Sequence, residues 1–502
     1  MSKHIQLHPE DNVALAFDDF EAGQTMSAIK AVEPIPAGHK MALRDLASGA
    51  PIRKYNQIIG FASQPILAGA HVHVHNTEMR SFDRDYAFGA DVKDFDPVPT
   101  PATFKGYVRT DGRVGTRNYL AVLTSVNCSA TVARYIADAF RDEEVQAQFP
   151  NVDGVVSFTH STGCSMNIEG EGLRVLRRVI AGYAQHPNVA AALIVGLGCE
   201  VNQIPDLMDA HGLTSGPNLR TMTIQETGGT KATVDRGVAM IKEMLSEANQ
   251  ATRTTVPASY LTLGLECGGS DSYSGITVNP SFGAAADLLV LNGGTAVLSE
   301  TPEIYGAEHL LTRRAVSREV GEKLINLIRW WEDYTARNGG EMDNNPTPGN
   351  KAGGLTTILE KSLGAVAKGG TMNLSEVFNY AERITAKGFV FMDSPGYDPV
   401  SITGQVASGA NIVCFTTGRG SVYGCKPAPS LKLATNSPMY HHMSEDMDVN
   451  CGEILDGTTT VQEQGEQIFQ LILDTASGAS SKSEALGFGD NEFTPWQLGA
   501  VM

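Results

Sequence analysis

Residues 119–126, Tyr119-Leu-Ala-Val-Leu-Thr-Ser-Val126, form a near-continuous apolar run, which marks a strand buried on both faces rather than one alternating with solvent. The pattern repeats outward from it. Further runs occupy Val155 to Thr159, Ala191 to Leu197, Thr221 to Ile224 and Leu261 to Leu265, and helix-length amphipathic stretches fall at 129–144, 169–185 and 229–249. Strand alternating with helix predicts a parallel sheet covered on both faces. Beyond 256 the same rhythm continues, with a helix near 313–337 and apolar runs at Gly388 to Met392, Asn411 to Phe415 and Ser430 to Ala434.

Upstream the reading changes. Short alternating segments at Asn12 to Phe17, Lys40 to Leu43, Ile58 to Ala62 and His71 to His75, separated by Gly23, Gly38, Gly49 and Gly69, predict a small all-β unit. Between the two regimes, Asp94-Phe-Asp-Pro-Val-Pro-Thr-Pro-Ala-Thr103 carries three prolines in six residues and reads as an extended linker. The expected division is a β domain over 1–92, a linker over 93–104, an α/β domain over 105–255 and a larger α/β domain over 256–502.

At 502 residues, 42% apolar and 19% charged, the chain is long enough for several packed cores. Its 38 Lys and Arg against 56 Asp and Glu give a net charge of −18. That sign disfavours nucleic acid and anionic membrane as partners, and a small-molecule acid needs a local cation or metal to be held. No amino-terminal signal region and no run of spanning length is present, so a cytoplasmic protein is expected. A homo-oligomer is left open. Seven scattered cysteines in a reducing compartment are thiols, core fillers or metal ligands, not a disulfide framework.

Four of those cysteines follow expected strands: Cys128, Cys164, Cys199 and Cys267. Loops beyond the carboxyl ends of parallel strands form the ligand crevice, so the four thiols are expected on one rim, where soft sulfur suits iron or an iron–sulfur cluster. A single buried Cys is more often packing, and no Cys-x-x-Cys pair is present. A second constellation is His71-Val-His73-Val-His75, whose strand periodicity puts three imidazoles on one face, there to share a divalent ion or a substrate carboxylate, or simply to be solvated. His39 can join them, but as a lone residue it favours the plainer reading. Third are glycine-rich polar loops at 268–275, 345–354 and 416–424, in which Lys351 and Arg419 supply cations for a carboxylate. The dinucleotide glycine pattern is missing after the 119–126 run, as are the Walker lysine motif and a Gly-x-Ser-x-Gly elbow.

On Asp11-Asn-Val-Ala14, Gly38-His-Lys40, Asp111-Gly-Arg-Val-Gly-Thr-Arg-Asn118, His160-Ser-Thr-Gly-Cys164, Gly196-Leu-Gly-Cys-Glu200, Glu266-Cys-Gly-Gly-Ser-Asp271, Asn345-Pro-Thr-Pro-Gly-Asn-Lys351 and Thr417-Gly-Arg-Gly420, the chain resembles the altronate and galactarate dehydratases along nearly its whole length. The resemblance implies an SAF-type β domain, a flavodoxin-like middle domain and a larger carboxy-terminal α/β domain. It also implies dehydration of a six-carbon sugar acid to a 2-keto-3-deoxy acid with a divalent metal, typically Fe2+, with Mn2+ or an iron–sulfur cluster as alternatives. The histidine run is similar to altronate dehydratases, whereas Phe149-Pro-Asn-Val-Asp-Gly-Val-Val156 is similar to a galactarate-type string. Sulfolactate sulfo-lyases are related, with the small domain on a separate chain.

Such a dehydration needs a cation for the developing enediolate and help for a poor leaving group. Cys164, Cys199 and Cys267 are assigned as iron ligands, with Cys128 as a fourth. His160 is the first candidate for proton transfer, with Glu200, Glu266 and Asp271 as alternatives, and Lys351 and Arg419 are the carboxylate clamps. His71, His73 and His75 bind a second ion or close over substrate as a lid on the prolyl tether. The rivals are a nicotinamide-dependent sugar-acid dehydrogenase, a non-catalytic sugar-acid binding protein and an electron carrier.

Overall fold

The computed structural model describes residues 3–82 and 84–500, apart from the side chain of Val145. The apolar run at 119–126 becomes strand Tyr119–Thr124, buried at every residue, where each large aliphatic contributes roughly 1.5–3 kcal/mol by leaving water. It pairs in parallel with Gly154–Phe158 on one side and Val189–Gly196 on the other, with Leu219–Thr223 beyond. Helices Ala130–Asp138 and Thr230–Ala248 bury their apolar stripes on one face of this sheet, and Glu171–Ala184 covers the other. These helices match the expected stretches within a few residues.

The run Leu261 to Leu265 does not extend this sheet. It becomes Thr262–Cys267, the central strand of a separate seven-stranded parallel sheet, in the order Leu374–Phe378, Gly388–Met392, Thr295–Leu298, Thr262–Cys267, Ile412–Thr417, Ser430–Ala434, Val449–Asn450. The chain leaves the central strand toward one edge and returns at Ile412 to fill the other. The switch point therefore lies between Thr262–Cys267 and Ile412–Thr417, where such sheets open a ligand crevice at their carboxyl ends.

The amino-terminal segment is all β. His4–Ile5, Val13–Ala16, Lys40–Ala42 and His71–Val72 form one antiparallel sheet, and Pro51–Lys54, Gln57–Ala62 and Thr77–Glu78 another. The expected strand at 71–75 is shorter than its alternation suggests: it ends at Val72, and Asn76 Oδ1 accepts from His73 N at 2.9 Å in a turn.

This segment is docked, not tethered. Lys40 and Lys54 both reach Glu360 of the carboxy-terminal segment, and all three side chains are buried. The proline-rich stretch is held too, through Val98 N to Leu291 O at 3.2 Å and Ala102 N to Asn292 Oδ1 at 2.7 Å. A swinging lid is incompatible with two ammonium groups sealed against one carboxylate, so that expectation is corrected. Strand Thr103–Val108, beginning inside the expected linker, pairs antiparallel with Thr254–Pro257 and ties together the two ends of the middle segment. Among the described residues no helix is long and apolar enough to cross a membrane.

Candidate active site

Two consecutive glycines follow the central strand at the switch point. A Cβ at Gly268 would lie 2.2 Å from Asp398 Oδ2, and one at Gly269 would lie 3.3 Å from Arg419 Cβ. The bare backbone thus lets a carboxylate and a guanidinium stem close in on either side of the strand end. Asp398 begins helix Asp398–Ala407 and is only partly exposed. Burial, then the Glu300 and Glu303 carboxylates, push it up to about 7. Nothing in the local sequence distinguishes Asp398 from a helix-starting Asp; its neighbours come from other strands.

Asp271 braces this loop. Its Oδ1 accepts from the Tyr273 and Ser274 amides and Oδ2 from Thr435 Oγ1 and Asn436 Nδ2, and Arg419 N and Gly418 N donate to Gly269 O. Both of its oxygens are thus engaged within the loop and its neighbours. The 345–354 loop lies alongside: Asn350 Nδ2 donates to Ser270 O and Ser272 N to Gly353 O, both at 2.9 Å. Lys351 is half-buried and Arg419 exposed, and neither side chain makes a hydrogen bond or ion pair among the described residues.

The β domain closes the same neighbourhood. Gly354, at φ +93°, packs so tightly that a Cβ would lie 2.0 Å from Gly38 O, and the next residue, His39, belongs to an imidazole cluster. His39 Nδ1 and His71 Nε2 are 2.9 Å apart, and the His73 ring centroid is 4.6 Å from that of His39. His39, His71 and His73 offer ligand nitrogens within 4.8 Å of one another, so the plainer reading of His39 is overturned. His75 is exposed and reaches the group only through His71, at 5.4 Å between ring centroids. Burial first, then the neighbouring imidazoles and Lys40, draw His71 down to about 4 and His73 to about 3. Neutral imidazoles are the metal-binding form, and His73 Nδ1 is buried with no partner, so the donor set fits a divalent ion.

The thiols divide. Cys128, Cys164 and Cys199 are exposed on loops beyond the first three strands of the middle sheet. These loops interlock: Asn127 N donates to Thr162 O, Asn202 N to Gly163 O, and Asn202 Nδ2 to Ser125 O. Gly163, at φ +101°, lies where a Cβ would be 2.3 Å from Ser125 O. Glu200 accepts from Ser125 Oγ and the Leu197 and Gly198 amides, and His160 is held by Thr124 O at 2.9 Å on Nε2 and by Thr162 on Nδ1. Both therefore brace the thiol loops. Burial takes His160 down to about 4, which leaves the imidazole neutral.

Cys267 is elsewhere, which corrects the expectation of four thiols on one rim. It ends the central strand of the other sheet, fully buried, with Lys368 Nζ donating to Sγ at 2.9 Å and Glu303 Oε2 3.5 Å away. Although Cys267, Glu300 and Glu303 bring three potential ligands together, Lys368 is bonded to two of them and Lys361 Nζ reaches Glu303 Oε1 at 2.6 Å. Ammonium groups already neutralise this nest, so it fits a cation poorly. Glu266 lies beside it, fully buried and raised well above the carboxylate range, by burial and then by Glu300. It accepts from Ser401 Oγ at 3.0 Å and does not face the crevice loops as expected.

Three family descriptions match successive stretches of the chain: the altronate/galactarate dehydratase SAF domain over 2–80, the D-galactarate dehydratase/altronate hydrolase second domain over 106–249, and the D-galactarate/altronate dehydratase C-terminal domain over 258–501. The chain belongs to the altronate/galactarate dehydratase family. It is 34% identical over 483 residues to the altronate dehydratase of Bacillus subtilis, covering 95% of this chain and 96% of that one. The altronate dehydratase of Escherichia coli is 34% identical over 491 residues, 97% of each. The galactarate dehydratase (L-threo-forming) of Escherichia coli is 36% identical over 486 residues, 95% of this chain and 93% of that one. These family members are sugar-acid dehydratases. Near-equal identities to both kinds leave the substrate to be argued from the site.

Proposed function

We propose that this enzyme dehydrates D-altronate to 2-keto-3-deoxy-D-gluconate. The observation carrying the proposal is the close approach of Asp398 and Arg419 to Gly268–Gly269 at the switch point, neighboured through the 345–354 loop by His39, His71 and His73. Arg419 and Lys351 bind the substrate carboxylate; their free cations offset the repulsion of a chain with net charge −18. Asp398, titrating near neutrality, takes the proton from the carbon next to that carboxylate. The hydroxyl on the following carbon departs as water with the proton that Asp398 took, and the resulting enol tautomerises to the 2-keto acid. Asp271, with both oxygens committed, holds the glycine loop in place throughout.

His39, His71 and His73 are the residues we assign to a divalent ion, Fe2+ first and Mn2+ as the alternative. What such an ion supplies when bound is Lewis acidity toward a leaving hydroxyl. The exposed trio Cys128, Cys164 and Cys199 is our assignment for an iron–sulfur cluster, the other cofactor consistent with soft donors at a strand rim.

Altronate is preferred over galactarate because the altronate-like histidines lie in the candidate site. The galactarate-like string at 149–156 is framework: Asn118 Nδ2 donates to Asn151 O at 2.7 Å, and Asp153 Oδ2 accepts from Asn118 N at 2.5 Å. The test is anaerobic purification with ferrous ion and a 2-keto-3-deoxy acid assay across hexonates and hexarates. D-altronate should give the highest kcat/KM; preferential turnover of galactarate would reverse the substrate assignment, and no keto acid from any member would end the dehydratase reading.

A further inference from the structure

At the amino-terminal edges of both sheets, the end opposite the crevice, a cavity of about 370 Å³ separates the middle segment from the carboxy-terminal one. Its size is within the range of small-molecule sites. Four fixed cations line it, Arg113, Arg178, Arg383 and Lys387, against a single carboxylate, Glu382. In a chain where acids outnumber bases 56 to 38, such a reversal of sign is a local feature needing an occupant.

The cations are only partly spent on the protein. Arg113 pairs with Asp111 at 2.8 Å, while Arg178 and Lys387 donate to the carbonyls of Tyr380 and Ser259, which orient them without cancelling their charge. Arg383 donates no hydrogen bond and closes no ion pair among the described residues, although the Asp111 carboxylate that pairs with Arg113 is near enough to feel its charge. Burial draws the Lys387 ammonium down, with no carboxylate opposing it. Surplus positive charge gathered around one cavity attracts an anion.

We propose that this cavity is a second ligand site, distinct from the catalytic crevice, for a small multiply charged anion bearing phosphoryl or carboxylate groups. The cavity is also linked to the reaction. Ala407, at the end of helix Asp398–Ala407, lines it, and the other end of that helix is Asp398, about 13.5 Å away at the ordinary helical rise. An anion that shifts this helix along its axis moves the carboxylate against Gly268. This link, unlike the binding itself, rests on the role given above to Asp398.

Calorimetric titration of the full-length protein with inorganic phosphate and with succinate, at ionic strength held constant by sodium chloride, tests the site. Saturable one-to-one binding of either is expected, weakened at least tenfold in the Arg383→Ala/Lys387→Ala double variant and abolished by Arg383→Glu. Both groups are at the exposed mouth, so basal turnover should be unchanged. Preference for phosphate assigns a phosphoryl ligand, and preference for succinate a carboxylate one. Absence of saturable binding by both probes, or equal binding by wild type and variants, overturns the site. If binding holds but saturating anion leaves kcat and KM unchanged, the helical link is overturned while the site stands.

Discussion

Lys40 Nζ lies 2.9 Å from Glu360 Oε2, joining positions 320 residues apart, while Lys54 Nζ takes the other carboxylate oxygen at 3.0 Å. Burial pushes the Glu360 carboxyl up, but the two ammonium groups outweigh it and hold the acid at about 2. Burial draws Lys40 down to about 8, whereas Lys54, with Tyr55 beside it, is raised; at neutral pH the carboxylate and both ammonium groups remain charged. Because His39 immediately precedes Lys40, this buried triad also fixes the imidazole cluster.

Glu360→Gln strands two buried ammonium groups and should cost about 3–5 kcal/mol, read as a lower Tm. Since the folded acid is depressed below its unfolded value, its contribution is complete above about pH 4.5 and is lost as pH falls toward 2. Wild-type stability should therefore decline across that window with a slope reduced in the variant. Equal slopes would remove the triad from the account of acid stability.

Asp398→Asn should lower kcat by about 10²–10⁴, the range typical of a lost general base. In the wild type kcat/KM should climb as pH rises to about 7, where Asp398 loses its proton, and then level off. Persistence of the same ascending limb in the variant would assign the base elsewhere.

Manganese titration followed by electron paramagnetic resonance reads the imidazole site without turnover. Wild-type protein should bind one ion, and His39→Ala or His71→Ala should weaken it at least tenfold. Unchanged occupancy in both variants would dissolve the proposed ion site. Chelation of the wild type should likewise suppress activity, restored by ferrous ion.

Iron and acid-labile sulfide, measured after anaerobic reconstitution, test the thiol rim. Serine at Cys128, Cys164 or Cys199 should remove both together, while Cys267→Ser should retain them. Loss of cluster from the Cys267 variant alone would restore the buried thiol as a ligand.

Leu261 to Leu265 shows where the reading of the chain stopped. Its apolar character identified a buried parallel strand, and the division at 256 placed it in the second α/β region, but the matching positions of the four thiols after their strands suggested one shared rim. That rim set Cys267 beside the other three thiols, whereas it lies in the second core. His39 was missed for the opposite reason: a lone histidine after a glycine has no periodicity to signal it, and its partners stand 32 and 34 positions away. Asp398 gave no signal at all, because its raised pKa comes from its own burial and then from the charges of Glu300 and Glu303, which follow another strand.

The linear chain determined the order of β, α/β and α/β regions, the glycine-rich loops and the kinship, since hydrophobic period and local motif are properties of neighbours. Only the tertiary structure decided which thiols share an edge, which imidazoles meet and which carboxylate titrates near neutrality. Those depend on distances across sheets and between segments, and on the loss of water at each place, and no local spacing encodes either.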